Sequence, residues 1–211
     1  MKASFLAIAV ALAIAASAVP STARDKFGPW GPPVNLGPIV NSTSHDERPA
    51  ISRDDLSLYF DSNRQPGGFG GYDIWASHRK DRDDDFAWEP PVNLGCTLNT
   101  SANDDFPFLF VNNEEDTTIL YFASDRKYGS NNYHIYASMM NEEDGSFGPG
   151  VLVRELNCFP PDCVVQRDSR STIRRDGLEI ILGSWNRPGG SANTIFGFRR
   201  GRTLRIRGQN R

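Results

Sequence analysis

The sequence predicts an all-β fold, a β-propeller of four-stranded antiparallel blades with three blades present. Three observations predict it: a repeat of about 60 residues, short strand-like segments between turn residues, and no helical apolar period after residue 23. The 20 residues Trp30 to Pro49 return at an offset of 58 as Trp88 to Pro107, with ten identical positions. A third, more diverged copy aligns Asp168 to Gly190 with Asp46 to Gly68 at an offset of 122.

Each copy contains the same short elements in the same order. In the first copy, Ala50–Ser52 is a predicted strand that ends at the turn Arg53–Asp55, and Leu56–Asp61 is the second strand. A glycine-rich loop leads to a third, alternating strand at Tyr72–Ser77. Trp88–Leu94 can make the fourth, and its two prolines suit only a sheet edge because proline cannot donate to a ladder. Four such strands are typical of a propeller blade.

The two ends of the chain differ from this repeat region. Residues 1–23 predict a cleaved signal peptide, with Lys2, an Ala-rich apolar run and two small-x-small cleavage patterns. Propeller repeats are predicted over 24–198, with blades at about 27–86, 87–147 and 148–198. Residues 199–211 hold six arginines and no acid, and we expect a disordered basic tail. The signal peptide predicts a periplasmic or secreted protein without a transmembrane segment.

The charge and the cysteine content of the chain limit which partners it can bind and which disulfides it can form. Without the tail and Lys2, 16 basic residues stand against 26 acidic ones, which argues against a nucleic-acid partner. The three cysteines are an odd number for an exported protein. Cys158 and Cys163 enclose four residues, and a disulfide closes this loop if the Cα atoms approach within about 7 Å. The alternative is that Cys96 pairs with one of the other two.

The repeat resembles a known family. The pattern W-x-x-P-V-N-L-G, then D-x-x-P-x-I-S-x-D-G, then L-Y-F-x-S-x-R with a following D-I-W, is similar to the TolB-like, WD-related "Pro-Asp" propeller repeat of bacterial exported proteins. The resemblance covers Phe27 to about Arg199 and implies the propeller fold. It implies little about function, because propellers host binding modules and enzymes alike. The third copy departs from the pattern, with Thr194 in place of Asp73 and Ser171 in place of Pro49.

Three blades are too few for a closed ring, since propellers typically have four to eight. Each uncovered sheet face would leave about five large side chains exposed to solvent, which would lower the free energy of unfolding by roughly 10 kcal/mol. That is comparable to the whole stability of a domain, about 5–15 kcal/mol. We therefore expect either a homodimer that completes the ring or a shortened relative of a longer protein, and the patternless basic tail favours the second.

Candidate ligand-binding residues lie where two loops of each blade should emerge on one face. These are the loop entering the first strand and the loop joining the second and third strands. Carboxylates and guanidinium groups around a channel mouth can bind a sugar, a peptide terminus or a metal ion. Because they recur in every blade, an architectural role for the Asp–Arg pairs is the stronger interpretation. The candidates are Asp46, Glu47, Arg48 and Arg64 in the first copy, Asp104, Asp105 and Arg126 in the second, and Asp168, Arg170 and Arg187 in the third.

The sequence shows no catalytic set. It contains no Gly-x-Ser-x-Gly elbow and no histidine at a spacing that indicates a nucleophile system, and it predicts no cofactor and no metal site. We therefore favour a non-enzymatic binding or scaffold protein of the cell envelope, with a protein or carbohydrate ligand on the loop face. The alternatives are a propeller-type carbohydrate-active hydrolase or lyase, and a truncated relative without function. An enzyme should carry an acidic residue in one blade that the others lack, and no clear instance stands out.

Overall fold

The computed structural model describes residues 29–112, 117–159, 161–163, 167–185, 187–190 and 194–200. The predicted signal peptide and residues 201–211 of the predicted tail lie outside this range. The chain divides into two units, Met1–Asn35 and Leu36–Arg211, and residues 29–35 of the first unit form no helix or strand. No helix in the described part of the chain has the length and apolarity needed to cross a membrane.

The second unit contains three antiparallel sheets, each with its strands in chain order. The first sheet consists of β1 (Asp46–Ile51), β2 (Ser57–Ser62), β3 (Asp73–His78) and β4 (Val92–Asn93). The second sheet consists of β5 (Asp104–Asn112), β6 (Thr117–Ser124), β7 (His134–Met139) and β8 (Val151–Leu152). The third sheet consists of β9 (Arg167–Ile173), β10 (Glu179–Trp185) and β11 (Thr194–Arg199). A 3-10 helix, Arg154–Leu156, precedes the third sheet.

The predicted all-β architecture of propeller blades is confirmed, with two differences in detail. The outer strands β4 and β8 fall after the predicted borders at residues 86 and 147, because the chain completes one blade before entering the next. The third blade has three strands among the described residues instead of the predicted four. In addition, β11 ends at Arg199, one residue inside the predicted tail, where Arg199 Nε donates to Glu179 at 2.8 Å.

Two apolar clusters hold the blades face to face. Side chains alternate along a strand, so β6 in the central blade faces both neighbours. Leu120 and Phe122 belong to the cluster shared with the first sheet, whose members include Tyr59 and Ile74. The intervening Tyr121 and Ala123, with Ile135, belong to the cluster shared with the third sheet, which adds Ile180 and Leu182. The first strands follow the same order, since β1 contacts β5 and β5 contacts β9. We call the side lined by these three strands the channel face.

Candidate functional site

An aspartate and an arginine recur in the same arrangement in all three blades. In the first blade, Arg64 Nη2 donates to Asp46 Oδ1 at 2.5 Å and to the backbone carbonyl of Val40 at 2.8 Å. The same two contacts are made by Arg126 with Asp104 and Leu98, and by Arg187 with Asp168 and Leu156.

These repeated pairs are enclosed within their own blades. The guanidinium carbon of Arg126 lies 5.1 Å from the ring centroid of Phe122 and 4.8 Å from that of Tyr136, and the other two arginines lie over aromatic rings in the same way. Burial raises the pKa of Asp168 to about 6. Each pair joins the loop that enters a blade to the first two strands of that blade. This geometry favours an architectural role within blades, and ligand binding by these six residues stays a prediction.

A second recurring feature is a β-bulge in the first strand. The pairing register shifts between Glu47 and Ala50 in β1, and between Asp105 and Phe108 in β5. Arg48 and Phe106 occupy the same place in the two bulges, and both have a left-handed backbone, with φ of 52° and 55°. Such conformations cost on the order of 1–3 kcal/mol for ordinary residues and persist where the surroundings hold them. Bulges also redirect side chains, often beside functional sites.

Arg48 bridges the first and second blades. Its guanidinium carbon lies 4.0 Å from the ring centroid of Phe106. Its Nη1 donates to Asp61 Oδ1 at 2.8 Å and its Nη2 lies 3.0 Å from Glu47 Oε2. The other oxygen of Asp61, Oδ2, accepts the backbone N–H of Phe106 at 2.9 Å. The fully buried Asp61 therefore ties the bulge of the first blade to the bulge of the second.

Asp105 is the carboxyl group of this cluster with unused hydrogen-bonding capacity. It is 2% exposed, its Oδ2 lies 3.9 Å from Arg48 Nη1, and its Oδ1 has no hydrogen-bond partner. Burial, and after it the neighbouring Asp61 carboxylate, raise the pKa of Asp105 to about 8. Asp105 is therefore mainly a neutral carboxylic acid at pH 7, and such a group both donates and accepts hydrogen bonds.

A cavity of about 350 Å³ adjoins this cluster. The first strand of every blade contributes to its wall: Arg48 from β1, Asp105 and Phe106 from β5, and Arg167 and Ser169 from β9. The β6–β7 loop and the end of β10 contribute most of the remainder, including Asn131, Tyr133, Gly183 and Trp185. A larger cavity of about 540 Å³ lies elsewhere, and side chains of the apolar cluster between the second and third blades line much of it. The 350 Å³ cavity, which we call the channel cavity, has polar groups from all three blades in its wall.

Several residues that line or adjoin the channel cavity occupy positions at which the three copies of the repeat have different residues. Asp61 corresponds to Ala123 and Gly183, and Glu47 corresponds to Asp105 and Ser169. Trp185 stands where the other copies have Asn63 and Asp125, and Arg167 where they have His45 and Asn103. Residues that are the same in all copies have a structural role in every blade. Residues that differ between copies are not needed for the blade structure, so they can form a single binding site.

Gly183 leaves room for this cavity. A Cβ atom added at Gly183 would meet only the Ser169 carbonyl oxygen, at an ordinary 3.6 Å, and its backbone is not left-handed. The first blade has Asp61 at this position, whose carboxylate fills the corresponding space with its contacts to Arg48 and Phe106.

The structure brings together three of the ten predicted ligand-binding residues here: Glu47, Arg48 and Asp105. The side chain of a fourth, Arg170, lies outside the described residues. Sequence reasoning missed Asp61, Tyr133, Arg167, Gly183 and Trp185. Asp61 is an acidic residue of one blade that the other blades lack at the equivalent position, and a search of the repeat for disagreeing positions would have found it.

The cysteines lie away from the channel cavity. Cys158 and Cys163 form a disulfide with their Cα atoms 5.7 Å apart, and Cys96 is free and exposed. The pair Cys158–Cys163 was one of the alternatives that the sequence left open, and the pairing of Cys96 with either of them is not observed.

No protein-family model matches the chain, and no curated protein matches it in sequence. An endo-1,4-β-xylanase from Bacteroides thetaiotaomicron is similar in structure, with a TM-score of 0.44 and 16% identity over 77% of this chain and 56% of that one. A thermostable family-43 glycoside hydrolase has a TM-score of 0.44 and 14% identity over 77% and 56% of the two chains. The Dos1 propeller has a TM-score of 0.39 and 13% identity over 78% and 50%. This chain thus spans about half the length of these structures.

Proposed function

We propose that the protein is an exported binding protein that takes a hydroxyl-rich, carbohydrate-class ligand in the channel cavity. The observation that carries the proposal is the convergence of the non-repeated positions on this one cavity. Export is supported by the signal-like residues 1–23 and by the disulfide, since disulfides persist in oxidising compartments. The TolB-like repeat motif supports the same cell-envelope setting.

The chemistry of the wall supports a sugar ligand. Trp185 is 40% exposed and offers an apolar surface, while Asn131, Ser169 and Asp105 offer donors and acceptors. Burial, and after it the nearby Asp105 and Asp125, raise the pKa of Tyr133, so its hydroxyl stays protonated and hydrogen-bonds the Asp105 carboxyl group at the cavity wall. An apolar surface with a few convergent polar groups is typical of small-molecule sites, and the volume is at the lower end of their range, about 300–1,000 Å³.

Binding by itself fits the carboxylates better than hydrolysis does. A glycosidase needs two carboxyl groups that both reach the substrate. Asp61 is fully buried, and both of its oxygens are already engaged, by Arg48 and by the Phe106 N–H. One observation favours the second candidate, a hydrolase: the pKa values of Asp61 and Asp105 are raised to about 6 and about 8, and separated pKa values mark acid–base pairs.

A glycan panel tests the proposal. The mature protein is screened for binding, the best ligand is titrated by calorimetry, and release of reducing ends is measured in parallel. Gly183→Val should fill the cavity and abolish binding while the melting temperature stays near that of the wild type, because the added Cβ meets no close atom and valine suits a strand. Asp83→Asn, in an exposed turn of the first blade, is the control and should bind normally.

Two outcomes contradict the proposal. Undiminished binding by folded Gly183→Val would place the ligand elsewhere, and binding of no glycan in the panel would exclude the ligand class. Release of reducing ends that Asp105→Asn abolishes would favour the hydrolase instead.

A further inference from the structure

Arg167 is the cation of the channel cavity that has no acidic partner. Its side chain is exposed, and its Nε donates to the backbone carbonyl of Asn131 at 3.1 Å. Its two terminal nitrogens make no contact among the described residues. The backbone contact holds the guanidinium group at the cavity wall with its terminal nitrogens available.

The second guanidinium group of the wall is already neutralised. Arg48 contacts Asp61 at 2.8 Å and Glu47 at 3.0 Å, so its charge is compensated within the first blade. Asp105 adds little negative charge near neutral pH, because burial raises its pKa to about 8. Among the guanidinium groups of the wall, Arg167 is therefore the one that forms no ion pair with a carboxylate of the described residues.

We infer that the ligand is an acidic sugar whose carboxylate pairs with Arg167. This inference rests on the proposed function and deepens it. Two terminal guanidinium nitrogens match the two oxygens of a carboxylate, which gives geometric specificity in addition to charge. The ring of the sugar then lies against the exposed face of Trp185, and its hydroxyl groups bond the side chains of Asn131 and Ser169 in the wall.

Matched ligands test the inference. The probes are oligosaccharides of glucuronic, galacturonic and mannuronic acid, each paired with its carboxyl-reduced form, in which a primary alcohol replaces the carboxylate. The mature protein should bind at least one acid about tenfold or more tightly than its reduced partner, the difference expected for one charge-assisted pair. The preference should weaken as salt is added.

Three variants distinguish the effect of the Arg167 charge from the effect of the cavity itself. Arg167→Gln should remove the preference for the acid and leave binding of the reduced form unchanged. Arg175→Gln makes the same charge change at the exposed turn that follows β9 and should keep the preference. Gly183→Val should abolish binding of both forms, and melting temperatures confirm that each variant is folded.

The failures are distinguishable. Equal or weaker binding of every acid than of its reduced form overturns this inference and leaves the proposed function standing. A preference that survives in folded Arg167→Gln also overturns it. Binding of neither form, here and in the wider glycan panel, overturns the proposed function and the inference with it.

Discussion

Replacing Asp105 with asparagine should remove most of the pH dependence of stability near and above neutral pH. The group is 2% exposed, and burial followed by the Asp61 carboxylate raises its pKa from an ordinary 3.8 to about 8. The folded protein therefore keeps a proton on Asp105 over a range in which the unfolded chain has released it. Stability is greatest below the unfolded pKa and falls as the pH rises through the folded pKa.

The magnitude follows from one proton. Between the two pKa values, the free energy of unfolding should fall by up to about 1.4 kcal/mol per pH unit. For a domain of this size that corresponds to roughly 3–6 °C in melting temperature per pH unit. Asp61 and Asp168, whose pKa values are raised to about 6, act in the same direction but mainly at more acidic pH. From about pH 6.5 to pH 8 the slope therefore reports chiefly on Asp105.

Urea unfolding at four pH values across this window measures the slope. The wild type and the exposed control Asp83→Asn should lose stability together as the pH rises, whereas Asp105→Asn should be nearly flat. A flat wild type, or an unchanged slope in Asp105→Asn, would refute the reasoning.

Four further substitutions test the packing, the repeated pairs and the disulfide. Leu182→Ala, at a fully buried position between the second and third blades, should cost about 2–5 kcal/mol in urea unfolding, and a loss under 1 kcal/mol would contradict tight packing there. Arg126→Met leaves the buried Asp104 carboxylate without its cation and should cost about 3–5 kcal/mol, whereas Arg174→Met at an exposed pair should leave the free energy of unfolding nearly unchanged. Equal effects of these two would argue against the architectural role. Cys158→Ser opens a loop of sequence separation 5 and should cost about 2 kcal/mol, which reduction of the wild type should reproduce.

The sequence predicts the strands of a blade well because each strand pattern occurs in more than one copy, so that an unclear pattern in one copy is supported by the equivalent residues of another. The segments at Leu58 and Leu120 share L-Y-F-x-S and become β2 and β6 with the same partners and the same buried side chains. The predicted borders at about residues 86 and 147 precede β4 and β8, because a repeat shows the period of the chain and not the residue at which it passes from one sheet to the next. The fourth strand predicted within Trp88–Leu94 is observed as β4 of the first sheet.

The candidate site was harder to predict because its contacts cross blades. Asp61 and Phe106 are 45 residues apart and meet only when the first two sheets pack. Each blade presents its first strand to the channel face, so residues with little in common in the sequence share one cavity. The left-handed backbone at Arg48 and Phe106 has no signal in residue type, because neither is a glycine.

The sequence by itself determined the all-β repeat, the order of strands and the positions that the copies share, because these depend on local turn residues and alternation of apolar side chains. Only the tertiary structure decided which positions work together. Packing the sheets buries Asp61 and Asp105 side by side, raises the pKa of both, and opens a cavity where the third blade has glycine in place of an acid. The burial of these side chains and the distances between them depend on how the blades pack together, so they cannot be read from the sequence of any single repeat.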